Sequence, residues 1–287
     1  MARVCQLFSG SSGNSTFIGN SDGGILVDAG VSAKRLSAAL TERGIDPESL
    51  SGVFVTHEHG DHIAGVRVFC SKYNIPLFAT RGTLEILERD GHINGKFKTV
   101  ELDYGEIELD GYKIKNFRTS HDSAESCGYK VELPDGRKAA VCTDLGFVSE
   151  EVKKALCKTD LLVFESNHDI DMLKTGIYPY SLKQRIMSPI GHLSNDACAD
   201  ALPLFVKNGV TRIILSHLSE HNNLTIYAKK AAVSLREYEG RDGLPSHRRK
   251  KAGRGNDGFL KENYAEYLHS GRGKTKGKIP ARRLCGI

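Results

Sequence analysis

Nowhere in the 287 residues do eighteen apolar residues run together, so the chain offers no segment suited to a membrane-spanning helix. The N-terminus, Met1-Ala2-Arg3-Val4-Cys5, has no secretory apolar region before the polar run Ser9-Gly10-Ser11-Ser12-Gly13, and a cytoplasmic location is the expectation. Cysteine is sparse: the seven are odd in number, scattered and never spaced Cys-x-x-Cys, which argues against a disulfide framework and against a thiolate zinc site and predicts reduced, mostly buried thiols. Excess positive charge is also lacking over most of the chain, despite a net charge of +5. The first 244 residues carry 28 Lys and Arg against 32 Asp and Glu, whereas the segment from Pro245 onward carries 12 against 3. That basic tail, with Arg248-Arg249-Lys250-Lys251 and Gly271-Arg272-Gly273-Lys274, lacks apolar periodicity and is predicted flexible, with Phe259 to Leu268 its one candidate helix. Two readings of it stay open: non-specific phosphate binding, or a solubilising extension.

What is present is a soluble, globular composition, 39% hydrophobic and 26% charged, able to bury a full core as one large or two small domains. Short apolar runs bounded by Gly, Ser and Asn predict strands at Arg3 to Leu7, Ser15 to Gly19, Gly24 to Asp28, Gly52 to Val55 and Pro76 to Ala79. Helical spacing covers Ser32 to Arg43, His62 to Tyr73 and Thr80 to Glu88. Further strands follow at Glu106 to Leu109, Tyr112 to Arg118, Cys127 to Leu133 and Arg137 to Thr143, the last two joined by a Pro134-Asp135-Gly136 turn. Buried strands at Leu161 to Glu165 and Arg212 to Ser216 alternate with helices at Ser194 to Asn208 and Leu224 to Tyr238. Two strand-rich halves with outer helices predict an α/β (α+β) fold, a four-layer αβ/βα sandwich over residues 1–240, followed by the tail at 241–287.

The run His57-Glu58-His59-Gly60-Asp61-His62 packs three imidazoles and a carboxylate into six residues directly after an apolar strand. A solvated polar loop is the plain reading, but so dense a set of nitrogen and oxygen donors suits zinc, manganese or iron. On an extended loop His57 and His59 point the same way while Asp61 and His62 turn elsewhere, so one loop can serve two ions. Asp28, His121, Asp144 and His217 each close an apolar strand; any one of them is also simply where a strand meets water.

The ordered series Asp28, His57-x-His59-x-Asp61-His62, His121, Asp144, His217 resembles the motifs of the metallo-β-lactamase fold over residues 1 to about 240. The strings Ser9-Gly10-Ser11-Ser12-Gly13-Asn14-Ser15, Glu165-Ser166-Asn167-His168-Asp169, Ser181-Leu182-Lys183-Gln184-Arg185-Ile186 and Gly191-His192-Leu193-Ser194-Asn195 narrow the resemblance to its YycJ (WalJ) branch. That resemblance implies a bacterial cytoplasmic 5′-to-3′ exonuclease acting on double-stranded DNA. It also implies two divalent ions, zinc or manganese with iron as a further option: one on His57, His59 and His121, the other on Asp61, His62 and His217, with Asp144 between them. A hydroxide shared by the ions would be the nucleophile.

Around that set, Asp28 is expected to orient a ligating histidine, and His168 to sit at the rim or behind the ligands. His192 is the candidate for protonating the leaving 3′ oxygen or gripping the phosphate, unless it merely precedes the helix capped by Ser194. Ser11, Ser12, Asn14, Ser194 and Asn195 are candidate phosphate contacts, with ordinary turns and caps as the alternative. Lys183, Arg185 and Arg118 are further phosphate candidates, and Cys142 is expected to face the core. Only 47 residues separate Asp144 from His192, too few for an inserted cap domain, so an open site that duplex DNA ends can reach is expected. A glyoxalase-II-like thioesterase or other ester or lactone hydrolase is the enzymatic alternative, and a non-catalytic metal-binding nucleic-acid adaptor the alternative of another kind. The basic tail departs from the family, which would close on a further strand there. It reads either as a nucleic-acid arm or as the product of a reading-frame change.

Overall fold

Along the central strands, successive side chains fall into different apolar clusters, as a two-residue repeat requires when both faces of a sheet are covered. Ile25 and Val27 belong to one cluster and Leu26 to another; Leu161 and Val163 to one, Leu162 and Phe164 to another. The computed structural model describes residues 2–234. The boundary at 240, the tail and its candidate helix, and the site of a closing strand all lie outside the described residues.

One sheet has the order β1 (Arg3–Phe8), β2 (Ser15–Gly19), β3 (Gly24–Val27), β4 (Leu50–Phe54), β5 (Leu77–Thr80), β6 (Thr99–Leu102), antiparallel through β3 and parallel from there on. The other runs β12 (Arg212–Ser216), β11 (Leu161–Glu165), β10 (Lys138–Cys142), β9 (Cys127–Glu132), β8 (Tyr112–Arg118), β7 (Glu106–Leu109), with β10, β11 and β12 parallel. Ile18, Ile25, Phe54, Tyr129, Val141 and Val163 form the core between the sheets. The outer face of the first sheet packs Leu26, Val53 and Val55 against Leu36 and Leu40 of α1 (Ala33–Glu42) and Phe69 of α3 (Val66–Tyr73). The outer face of the second packs Leu162 and Phe164 against α5 (Glu150–Leu156) and α8 (Asn195–Lys207), with Ala228 of α9 (Thr225–Ser234) in the same cluster. The result is the expected four-layer αβ/βα sandwich.

The expected helix from His62 to Tyr73 is instead two, α2 (Gly60–Ile63) and α3, broken at Ala64-Gly65. There the chain passes so close to a neighbouring loop that Gly65 donates its N–H to Ala29 O at 2.8 Å, and a Cβ on it would lie 2.2 Å from Val31 O. Strand β6 and the helices α5, α6 (Ile170–Thr175) and α7 (Tyr180–Ile186) were not expected, whereas α4 (Arg81–Arg89) was. Each of the three helices is seven residues or fewer, too short for a helical period to show, and α7 buries no side chain at all.

Cys70, Cys127, Cys142, Cys157 and Cys198 are free thiols, and Cys142 faces the outer core of the second sheet as expected. No helix among the described residues is long and apolar enough to cross a membrane.

Candidate metal centre

Three residues that follow strands, Asp28 after β3, Asp144 after β10 and His217 after β12, hold left-handed backbone conformations, with φ of 62°, 59° and 57°. Non-glycine residues adopt this region at a cost, so its occurrence at all three places marks loops held by their surroundings rather than by local preference. These ends lie along one edge of the sandwich, where the loop after β4 carries His57 to His62. Backbone bonds clamp that loop: Asn14 N to Asp61 O at 2.8 Å, Ala29 N to His62 O at 2.8 Å and His62 N to His59 O at 2.9 Å.

The donor atoms gather in threes. His57, His59 and His121 bring ligand atoms within 4.8 Å of one another, as do Asp61, His62 and His217, and Asp144 joins a third such group with His57 and His62. Asp144 Oδ2 stands 3.3 Å from His62 Nε2, and its Oδ1 lies 3.9 Å from His121 Nε2, so one carboxylate faces both triads.

Each buried histidine of the two triads commits one nitrogen away from the centre. His57 Nδ1 meets Thr56 Oγ1 at 3.0 Å, His121 Nδ1 donates to Gly191 O at 3.0 Å, His62 Nδ1 donates to Asp28 Oδ2 at 2.8 Å, and His217 Nδ1 donates to Glu165 Oε1 at 3.0 Å. Such bonds fix the tautomer that presents Nε2 inward. Several atoms that face inward have no hydrogen-bond partner although they are buried: His57 Nε2, His217 Nε2 and Asp144 Oδ2. Buried polar atoms are rarely left unpaired, and nitrogen and carboxylate oxygen donors converging in threes are what a divalent cation takes. The residues therefore fit divalent metal ions.

Electrostatics carry the same message. Burial alone would depress His62 and His217, but the Asp144 carboxylate, helped by Asp28 and Glu165 respectively, lifts both well above the usual imidazole range. His57 is pushed well below that range by burial and by its histidine neighbours. Asp144 and Asp61 are held below the ordinary carboxylate value by His217 and His62 against the opposing effect of burial. The carboxylate charge that favours a proton on His62 and His217 would equally favour a divalent cation between them.

Asp28 lies behind His62, additionally accepting from Thr56 N at 2.8 Å. His192 stands between the triads, its ring 5.0 Å from that of His121 and 5.2 Å from that of His217, with Nδ1 donating to Glu165 Oε1 at 2.8 Å. His168 is buried with Nδ1 unpaired, and no side-chain bond ties it to the ligand cluster. Asn14 is spent inside the cradle: its Nδ2 bonds Asp61 Oδ2 at 3.1 Å and meets His62 Nε2 at 3.0 Å, while Oδ1 accepts from Gly10 N. Ser11 and Ser12 are exposed on the adjoining turn. Ser194 caps α8 by accepting from Ala197 N, and Asn195 is buried in a reciprocal pair with Asn223, so neither reaches the cluster.

The residue missed from the sequence is Glu165. Fully buried at the end of β11, it accepts from His192, His217, Leu145 N and Leu193 N, and those histidines hold it down at about 2 against the effect of burial. The available signal was a lone carboxylate ending the otherwise apolar run Leu161 to Phe164, the kind of position that is also simply where a strand meets water.

Comparison with known proteins agrees with this geometry. A family model described as a β-lactamase superfamily domain matches residues 24–218. The chain is 36% identical over 238 residues to "Exodeoxyribonuclease YycJ" of Bacillus anthracis, covering 82% of this chain and 89% of that one. It is likewise 36% identical over 240 residues to "Exodeoxyribonuclease WalJ" of Streptococcus pneumoniae serotype 2, covering 79% and 86%. Among solved structures, the metallo-β-lactamase fold protein YhfI of Bacillus subtilis superposes with a TM-score of 0.64 at 17% identity, over 82% of this chain and 93% of that one.

Proposed function

The chain belongs to the β-lactamase superfamily, in the branch of the YycJ and WalJ exodeoxyribonucleases, and is a metal-dependent hydrolase of nuclease type; from that premise we propose that it degrades double-stranded DNA from the 5′ end. The observation that carries the reading is the pair of histidine-rich triads with Asp144 facing both. In this reading His57, His59 and His121 hold one divalent ion, Asp61, His62 and His217 a second, and Asp144 contributes to both. Two such ions lower the pKa of water and offset charge building on the phosphate oxygens of an in-line displacement.

The chain's own residues do the rest. Asp28, Thr56, Gly191 O and Glu165 fix the tautomers of His62, His57, His121 and His217, so that the donors are in place before substrate arrives. His192, partly exposed between the triads with Nδ1 held by Glu165, presents Nε2 to a bound phosphodiester. A proton on that Nε2 passes to the 3′ oxygen as the ester bond breaks, while the buried Glu165 carboxylate holds the ring in place through Nδ1. The basic segment beyond residue 240 adds, in the same proposal, sequence-independent attraction for the DNA backbone.

The test is a substrate panel: 5′-phosphorylated duplex, 5′-hydroxyl duplex, single-stranded DNA and RNA, with zinc or manganese, for the wild type and Asp61→Ala. Metal-dependent release of nucleotides from the duplex 5′ end, lost in Asp61→Ala, is expected. Turnover of thioesters or lactones with no cleavage of any polymer would reject the reading.

A further inference from the structure

Among the cationic side chains of the described residues, Arg185 alone is joined to the metal cluster through one intervening carboxylate. Its Nε donates to Asp122 Oδ2. The other oxygen of Asp122 lies 3.4 Å from His121 Nε2 and 3.9 Å from His59 Nε2 and has no hydrogen-bond partner of its own. The backbone around this pair is shared with the site. Asp122 N donates to Ile190 O at 3.0 Å, His192 N to Ile186 O at 2.9 Å, and His121 Nδ1 to Gly191 O at 3.0 Å. A Cβ on Gly191 would lie 2.3 Å from Arg185 O and 2.2 Å from Ile186 O, so the end of α7 is pressed directly onto the segment that bears His192. Arg185 is thus set in the same frame as His121 and His192, not hung on a free loop.

The remaining donors of the guanidinium are open. One N–H is used on Asp122, the side chain is 53% exposed, and no other partner among the described residues holds it. The other two cations singled out by sequence are committed elsewhere: Arg118 lies 4.0 Å over the Tyr104 ring, and Lys183 Nζ donates to Lys174 O at 2.8 Å. A guanidinium steadied at Nε keeps its outer edge for a planar, two-bond grip on phosphate, which a lysine cannot reproduce.

We propose that Arg185 is a phosphate grip beside the metal cluster, binding a phosphate of the substrate strand other than the one cleaved, with Asp122 holding the guanidinium in register. The proposal rests on the nuclease reading above. A strand that places one phosphodiester at the metal cluster carries its neighbouring phosphate, a 5′-terminal monoester or the next internal diester, one nucleotide away. Arg185 would supply specificity for a polymer over a small diester and a share of binding, not bond cleavage.

The test uses the full, metal-loaded chain and fluorescence anisotropy of a duplex protected at its ends by phosphorothioate linkages, carrying either a 5′-phosphate or a 5′-hydroxyl. Hydrolysis of bis(p-nitrophenyl) phosphate, which has no neighbouring phosphate, is followed in parallel. Arg185→Gln is expected to weaken duplex binding about tenfold or more and Arg185→Lys by less, with small-diester turnover changed by no more than about twofold. Loss confined to the 5′-phosphorylated duplex assigns the terminal phosphate, and equal loss on both duplexes assigns an internal one; either supports the grip. Unchanged affinity for both duplexes overturns it. An equal loss of small-diester turnover overturns it too, because Arg185 would then act only through Asp122 on the cluster. Since anisotropy reads binding alone, a chain that binds duplex through Arg185 yet cleaves none would reject the nuclease reading and leave this one standing.

Discussion

Four hydrogen bonds converge on Glu165, two from histidines and two from backbone N–H groups, and all four require an acceptor. Glu165→Gln keeps the shape but turns one acceptor into a donor facing donors. The expected outcome is a fall in kcat of about 10²–10³-fold through His192, together with a metal affinity about 10–100-fold weaker through His217. Steady-state kinetics and metal titration would separate the two; an unchanged kcat at saturating metal would exclude the proton-delivery role. Titration follows from the same contacts. In the metal-free protein Glu165 is held at about 2, below its ordinary 4.5, so the stability it contributes is complete above pH 4.5 and is lost as pH falls toward 2. His168, lowered by burial to about 4 from 6.5, adds a loss between pH 6.5 and 4, because the unfolded chain takes up the proton first. Asp28 is raised by burial and works in the opposite direction. Thermal melts of metal-free protein should therefore fall progressively below pH 6.5, and Glu165→Gln should flatten the part below pH 4.5. A melting temperature indifferent to pH from 6.5 to 3 would contradict these assignments.

At the scale of elements, the site depends on backbones that pass almost in contact. A Cβ on Gly30 would stand 1.7 Å from Asp61 O, so the loop bearing Asp61 and His62 can sit where it does only beside a glycine. Gly30→Ala should cost about 1–3 kcal/mol by forcing the backbone apart, and should weaken metal binding at Asp61 and His62 more than a surface Gly→Ala change does. Denaturant melts with and without metal check both parts. The strands were legible because their apolar runs end sharply in polar turns; β2, β7, β8, β11 and β12 fall where those runs stop. The candidate donors stood out for a related reason: His121, Asp144 and His217, with Asp28 behind them, follow such runs, and His57 to His62 carry donor types that surfaces rarely concentrate, while their division into two sets came from the family resemblance. What stayed hidden was tertiary. The break at Gly65 comes from an approaching chain, α7 is held by the His121 and His192 loops rather than by an apolar face of its own, and the role of Glu165 depends on histidines 27 and 52 residues away.

Among the described residues, three apolar layers hold two sheets and their outer helices, and the unpaired buried atoms of His57, Asp144 and His217 gather where strand ends of both sheets meet. A fold of this kind keeps a cluster of buried imidazoles and carboxylates in place by its packing, so the ions complete the site rather than create the structure. The most direct measurement of that claim is a titration of metal-free protein with manganese or zinc while nucleotide release from a 5′-end-labelled duplex is followed. The account predicts no release without metal, a rise that levels off at about two equivalents per chain, and no rise in Asp144→Ala. Release by the metal-free protein, or none at any metal loading, would contradict it.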